Sequence, residues 1–169
     1  NLVLSTGGTV TQSQILTVTG TTSITAGSGN DITLTNASNN FGGAIRIVSG
    51  NNVSLTDTNA IAFGNGGTST ISGNLTVTAV GITQSQIIDV TGTASFTGGA
   101  GVITLTNASN SFASTVALSN SGAFAVSVTD STALSLAASS VGSGGLNLVS
   151  NGAVTQSGAV VTSGGTTSI

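Results

Sequence analysis

The sequence predicts an all-β chain wound as a right-handed parallel β-helix, a β-solenoid of about seven coils of about 24 residues each. Three observations carry that prediction. A five-residue alternating strand, Ile32-Thr33-Leu34-Thr35-Asn36, returns as Ile103-Thr104-Leu105-Thr106-Asn107, and in looser form at Leu2–Ser5, Val53–Asp57, Leu75–Thr78, Val126–Asp130 and Leu146–Leu148. Apolar residues at every second position give a strand one dry and one wet face. The chain also matches itself at a long, regular offset. Finally, 38% of its residues are hydrophobic and only 3% are charged, with a mean hydropathy of +0.46. Disorder goes with low hydrophobicity and high charge, so this chain is expected to fold.

The self-match organises the rest. Val10-Thr11-Gln12-Ser13-Gln14 answers Ile82-Thr83-Gln84-Ser85-Gln86, 72 residues on, and Ile32 to Phe41 answers Ile103 to Phe112 at 71. Asp57 meets Asp130 at 73, and Val154-Thr155-Gln156-Ser157 opens a third copy. Residues 1–169 therefore read as one solenoid array of repeat units 1–73, 74–144 and a partial 145–169. With three alternating strands per unit, seven coils start near Asn1, Asn30, Asn51, Asn74, Gly101, Ala123 and Gly145.

Each coil is expected to stack its first strand on that of the coil before. One inward column then reads Leu2/Leu4, Ile32/Leu34, Val53/Leu55, Leu75/Val77, Ile103/Leu105, Val126/Val128 and Leu146/Leu148. A second column holds Ile45/Ile47, Ile61/Phe63, Val116/Leu118 and Leu134/Leu136, with Val10, Ile82 and Val154 in the longer coils. A third side has Ile24, Phe96, Ile71 and Val141 as its candidates. Antiparallel hairpins also give short strands at even spacing, but only stacked coils explain why like recurs at like intervals along the whole chain. The crossover rule for parallel strands makes the winding right-handed. Glycine pairs such as Gly42-Gly43 and Gly98-Gly99 serve the corners, and Phe41 and Phe112 are expected to plug a corner of the core. Each buried aliphatic side chain contributes about 1.5–3 kcal/mol before ordering entropy is subtracted, enough for a stack and too little for one coil.

Charge narrows the function classes. One Arg (Arg46) faces four Asp (Asp31, Asp57, Asp89, Asp130), for a net charge of −3. Such a surface neutralises no phosphate backbone, and five Phe without Tyr or Trp make no stacking platform, so no nucleic-acid partner is expected. No stretch approaches the roughly 18 apolar residues of a membrane span. The absence of Cys excludes a disulfide framework without fixing a compartment. The chain begins without Met and ends in mid-pattern, and it reads as a piece of something longer.

At Asn74–Gln86 (NLTVTAVGITQSQ), Gly29–Ile45 (GNDITLTNASNNFGGAI) and Asn51–Phe63 (NNVSLTDTNAIAF) the sequence resembles the repeat regions of filamentous-haemagglutinin-like bacterial exoproteins. These are large adhesins secreted by the two-partner or autotransporter route. The resemblance covers essentially the whole chain and rests on motifs of low complexity. It implies a β-helical shaft carried outside the cell or on the bacterial surface, for adhesion, aggregation or biofilm contact. No functional residue transfers with it, since the repeats are shaft rather than tip.

Catalysis needs acids, bases or metal ligands gathered on one face, and there is no His, Cys, Lys, Tyr or Glu. Asp57 and Asp130, taken as equivalent turns three coils apart, would stand about 14 Å from each other at the strand spacing, wider than the roughly 5–9.5 Å of glycosidase pairs. Both are expected to close strand-end turns. No enzyme activity, cofactor or metal is expected: Gly64-Asn65-Gly66-Gly67 lacks the carboxylate of the calcium-binding nonapeptide. The Asn-x-Ser/Thr triplets at Asn36, Asn52, Asn74 and Asn107 are discounted as products of composition.

One surface column stands out. Thr33, Thr35, Ser54, Thr56, Thr76, Thr78, Thr104, Thr106, Ser127 and Thr129 take the outward positions of the first strand. Thr-x-Thr stacked on a flat parallel sheet is the pattern ice-binding solenoids use to order water, and Thr is also the polar residue best suited to any strand surface. The leading expectation is a structural shaft; the alternative is a binding module for ice or glycan acting through this face. Expected partners are the chain itself, head to tail through open strand edges, and host or bacterial surface glycans.

Overall fold

A computed structural model describes all residues 1–169, and it is a β-solenoid of parallel strands without a helix. No helix is therefore long and apolar enough to cross a membrane. Two long ladders run the length of the molecule. The first pairs Leu2–Ser5, Thr22–Thr25, Ile45–Ser49, Ile61–Phe63, Ile82–Gln84, Ile103–Leu105, Val126–Asp130, Leu146–Ser150 and Thr167–Ser168, in that order. The second pairs Val10–Thr11, Ile32–Leu34, Val53–Thr56, Leu75–Thr78, Ala94–Thr97, Thr115–Ser119, Leu134–Leu136 and Val154–Gln156, with Ser139–Val141 and Val160–Thr162 alongside its last rungs. Every pairing is parallel, as a coil that always returns in the same direction requires.

Successive rungs are joined by about eight turns of about 21 residues, not seven of about 24. The difference has a definite cause. The two Ile-Thr-Leu-Thr-Asn strands that match so well in sequence lie on opposite ladders: Ile32 pairs with Val10 and Val53 on the second, Ile103 with Ile82 and Val126 on the first. A repeat of about 72 residues is thus three and a half turns rather than three. Both ladders are built from the same period-two strand, and each copy of the repeat begins half a turn round from the last. The expected first column accordingly splits, with Leu2, Ile103, Val126 and Leu146 on one ladder and Ile32, Val53 and Leu75 on the other. The second column splits likewise: Ile45, Ile61 and Ile82 stand on the first ladder, Val10, Val116, Leu134 and Val154 on the second.

The third side changes corners with the same rhythm. Thr17–Val18 and Asn40–Phe41 pair with each other and follow second-ladder strands, whereas Ser69–Ile71, Ile88–Val90 and Ser111–Phe112 follow first-ladder strands. Ile24 and Phe96, expected on this side, are instead full members of the first and second ladders. Their strands, Thr22-Ser23-Ile24 and Ala94-Ser95-Phe96, carry one large apolar residue each, so the alternation is faint.

Between the ladders lies one core of 33 buried hydrophobic residues. Phe41 and Phe112 close its corners, and Phe112 meets Phe96 edge to face with ring centroids 5.9 Å apart, a favoured aromatic geometry. Leu2 and Leu4 are only half-buried, because their rung has a neighbour on one side alone. Two glycines show why the corners exclude side chains. Gly145 has φ +88, and a Cβ on Gly43 would stand 2.6 Å from the backbone of Gly20 in the preceding turn.

Candidate functional site

The ten hydroxyl residues expected in one outward column do not share a face. Thr33, Ser54, Thr56, Thr76 and Thr78 lie in second-ladder strands, with Thr35 just past the end of Ile32–Leu34, and Thr104, Ser127 and Thr129 lie in first-ladder strands, with Thr106 just past the end of Ile103–Leu105. The half-turn phase of the repeat separates them, because an outward residue of one copy finds its counterpart in the next copy across the core.

The second ladder nonetheless carries two continuous hydroxyl files. Register pairing stacks Thr11, Thr33, Ser54, Thr76 and Ser95 in one. It stacks Thr56, Thr78, Thr97, Ser119 and Ser140 in the other. Five of these, Thr11, Ser95, Thr97, Ser119 and Ser140, escaped the sequence reading; the signal that finds them is a spacing of 19 to 22 residues between outward hydroxyls. Hydroxyls along each file repeat at about 4.8 Å, the strand spacing, and each can both donate and accept. Ala117 ends the first file and Val161 the second. Beyond them the face dips into a shallow depression lined by Ala117, Ser119, Ala138, Ser140 and Val161. The first-ladder face is less regular: Val3, Ser23 and Arg46 follow one another, then Ala62, Thr83, Thr104, Ser127 and Asn147.

The most elaborate polar feature lies inside the wall. Asn39, fully buried, exchanges reciprocal hydrogen bonds with Gln12 of the preceding turn: Gln12 Nε2 donates to Asn39 Oδ1 at 2.8 Å, and Asn39 Nδ2 donates to Gln12 Oε1 at 2.8 Å. Asn39 Oδ1 also accepts from the Leu16 backbone, and its Nδ2 donates to the Leu34 carbonyl. The same clasp joins Gln84 and Asn110, with both amide bonds at 2.7 Å and with Ile88 and Leu105 in the roles of Leu16 and Leu34. Buried amides are stable only when so satisfied. The sequence shows these residues as QSQ and NASN, which read there as markers of the repeat and not as partners.

The carboxylates are dispersed. Asp57 and Asp130 do close strand-end turns, accepting from the backbone N–H of Asn59 and Thr132 respectively, and Asp57 also accepts from Phe41 N–H at 3.0 Å. They sit on opposite ladders rather than in one stack, so no carboxylate pair forms between them. Asp31 is held below the usual carboxylate range, chiefly by the Asn52 backbone N–H and further by the side-chain amides of Asn52 and Asn51. Arg46 lies across Gly67 and donates through Nε to the Thr68 carbonyl.

Compared with known proteins, residues 1–48, 50–119 and 123–169 match a family model described as repeats of unknown function. No curated protein and no solved structure matches the chain.

Proposed function

From the premise that this chain belongs to the family of repeats of unknown function (DUF5649), we propose that it is a length of structural shaft from a secreted bacterial adhesin or extracellular fibre, supplying reach, stiffness and contact surface. The observation that carries this reading is the pair of unbroken parallel ladders. Backbone pairing runs along the axis from the first rung to the last, and a single hydrophobic core lies between the ladders, so that each turn is held by the turns on either side of it. The sparsely charged, hydroxyl-rich exterior suits a fibre bathed in solvent. On this reading the chain performs no catalysis, takes no cofactor, and works on the bacterial surface or beyond it. Immunogold labelling of intact producing cells tests the reading. Label along thin surface fibres is expected, and label confined to the cytoplasm overturns it.

A second reading, a binding module for ice or polymeric glycan, is favoured by one observation, the two hydroxyl files of the second ladder. It predicts that Thr76→Lys, in mid-file, abolishes thermal hysteresis or glycan retention while the fold stays intact by circular dichroism. Absence of both activities in the unaltered chain removes it.

A further inference from the structure

At one place the two copies of the repeat are built alike and filled differently. In the first copy the long strand Ile45–Ser49 is followed, a turn later, by two short ones, Ile61–Phe63 and Ser69–Ile71. In the second, Thr115–Ser119 is followed by Leu134–Leu136 and Ser139–Val141. The break is anchored identically: Ser69 Oγ accepts from the Ile47 N–H at 3.1 Å, and Ser139 Oγ from the Leu118 N–H at 3.0 Å. The second copy closes it with Ala137 and Ala138 alone, and the neighbouring outward residue is Ala117, in the shallow depression. The first copy inserts the longer turn Gly64–Thr68, and the neighbouring outward residue is Arg46, the only Arg or Lys in the chain. Since alanines suffice to close the second break, neither the longer turn nor the guanidinium is needed to hold the rung.

Both parts of this insertion carry unused donors. Arg46 spends only Nε within the chain, on the Thr68 carbonyl; Nη1 and Nη2 make no hydrogen bond, and no Asp pairs with the guanidinium. The backbone N–H groups of Asn65, Gly66, Gly67 and Thr68 have no partner in the chain either. Asn65 and Gly66 both have positive φ, +67 and +80, and successive N–H groups in such tight turns make concavities that bind anions. The guanidinium lies against this turn, so closely that a Cβ on Gly67 would stand 2.5 Å from Arg46 Cζ. Hydroxyls flank it on the rungs to either side. Ser23 is in register with Arg46, and Ser85 Oγ would stand 2.7 Å from a Cβ on Gly64.

We propose that Arg46 and the turn Gly64–Thr68 bind the carboxylate of an acidic glycan, a uronic-acid polymer in chemical class. The planar fork of Arg46 gives a carboxylate two parallel hydrogen bonds, and the free N–H groups of the turn serve its remaining lone pairs. Ser23 and Ser85, which both donate and accept, meet the hydroxyls of the sugar. Arg46 stands on the first ladder, apart from the hydroxyl files of the second, so failure of this site leaves both readings above untouched.

Titration of the 169-residue chain with a galacturonic-acid oligomer, followed through backbone amide shifts, tests the proposal. Saturable shifts centred on Arg46 and Asn65–Thr68 are expected, and a neutral hexose oligomer of the same length should give none. Arg46→Ala, which reproduces the second copy's Ala117, should weaken binding about tenfold or more, the loss expected when a charged hydrogen bond is removed. Arg46→Lys keeps the charge without the fork and should restore only part of that affinity. Arg46 is half-buried and the second copy closes its rung without it, so both variants should melt as cooperatively as the parent chain. No saturable binding, equal binding of the neutral oligomer, or affinity unchanged in Arg46→Ala overturns the proposal. So does polyglutamate that displaces the oligomer at equal carboxylate concentration, which would make this a site for any carboxylate rather than for a sugar acid.

Discussion

At the scale of the residue, the clasps and one carboxylate make the sharpest claims. Asn110 is fully buried, and its amide serves Gln84, Ile88, Leu105 and Thr129 at once. Asn110→Ala removes those partners together and strands buried donors and acceptors, each costing about 1–3 kcal/mol. The expected loss is about 3 kcal/mol in denaturant unfolding, and a loss below about 1 kcal/mol would mean that the network is not formed. Asp31 tests acid sensitivity. Its carboxyl titrates below its unfolded value because Asn52 and Asn51 hold the charged form. The resulting stabilisation is present above the ordinary Asp value of about 3.9 and is lost as pH falls through the lower folded value. Asp31→Asn removes that linkage, so the urea midpoint of the variant should fall less between about pH 5 and pH 2 than that of the parent chain.

At the scale of the element, what decides the cost of a substitution is where its rung lies in the stack. Leu75 is flanked by rungs on both sides and is fully buried, and Leu75→Ala should cost about 2–5 kcal/mol. Leu2 holds an inward position too, but on an end rung with one neighbour, and Leu2→Ala should cost about 1 kcal/mol. Gly43→Ala should destabilise by about 1–3 kcal/mol through the clash with Gly20. Thermal melts of the three variants check the order. Which residues point inward was largely legible in the sequence, since alternation of Ile, Leu and Val with Thr and Ser fixes the two faces of a strand whatever ladder holds it. Which ladder holds it was not. Ile32 and Ile103 have the same neighbours in sequence and different neighbours in space, because a period-two strand carries no mark of which wall it joins. Strands such as Ala94-Ser95-Phe96, with one large apolar residue, take their place from the rungs above and below rather than from their own pattern.

At the scale of the whole molecule, the half-integral repeat governs shape and surface. Three and a half turns per copy give an axial advance of about 17 Å with each copy facing the opposite way, and two copies restore the face after seven turns. Eight ladder steps make the described rod about 38 Å long, and small-angle scattering should return an elongated particle of that order. The layout of the outer surface was the least legible part of the sequence. Thr33 and Thr104 share a motif, yet the real hydroxyl files run through Ser95, Thr97 and Ser119, which no motif flags. Cross-linking tests the half-turn phase most directly, since the chain has no Cys of its own. Thr83 and Thr104 are register partners on adjacent first-ladder rungs, within the Cα separation of about 4.4–6.8 Å that a disulfide spans. Thr76 lies on the other ladder. On mild oxidation Thr83→Cys/Thr104→Cys should close to a disulfide within the monomer and Thr76→Cys/Thr104→Cys should stay reduced; closure of the second pair and not the first would contradict the account.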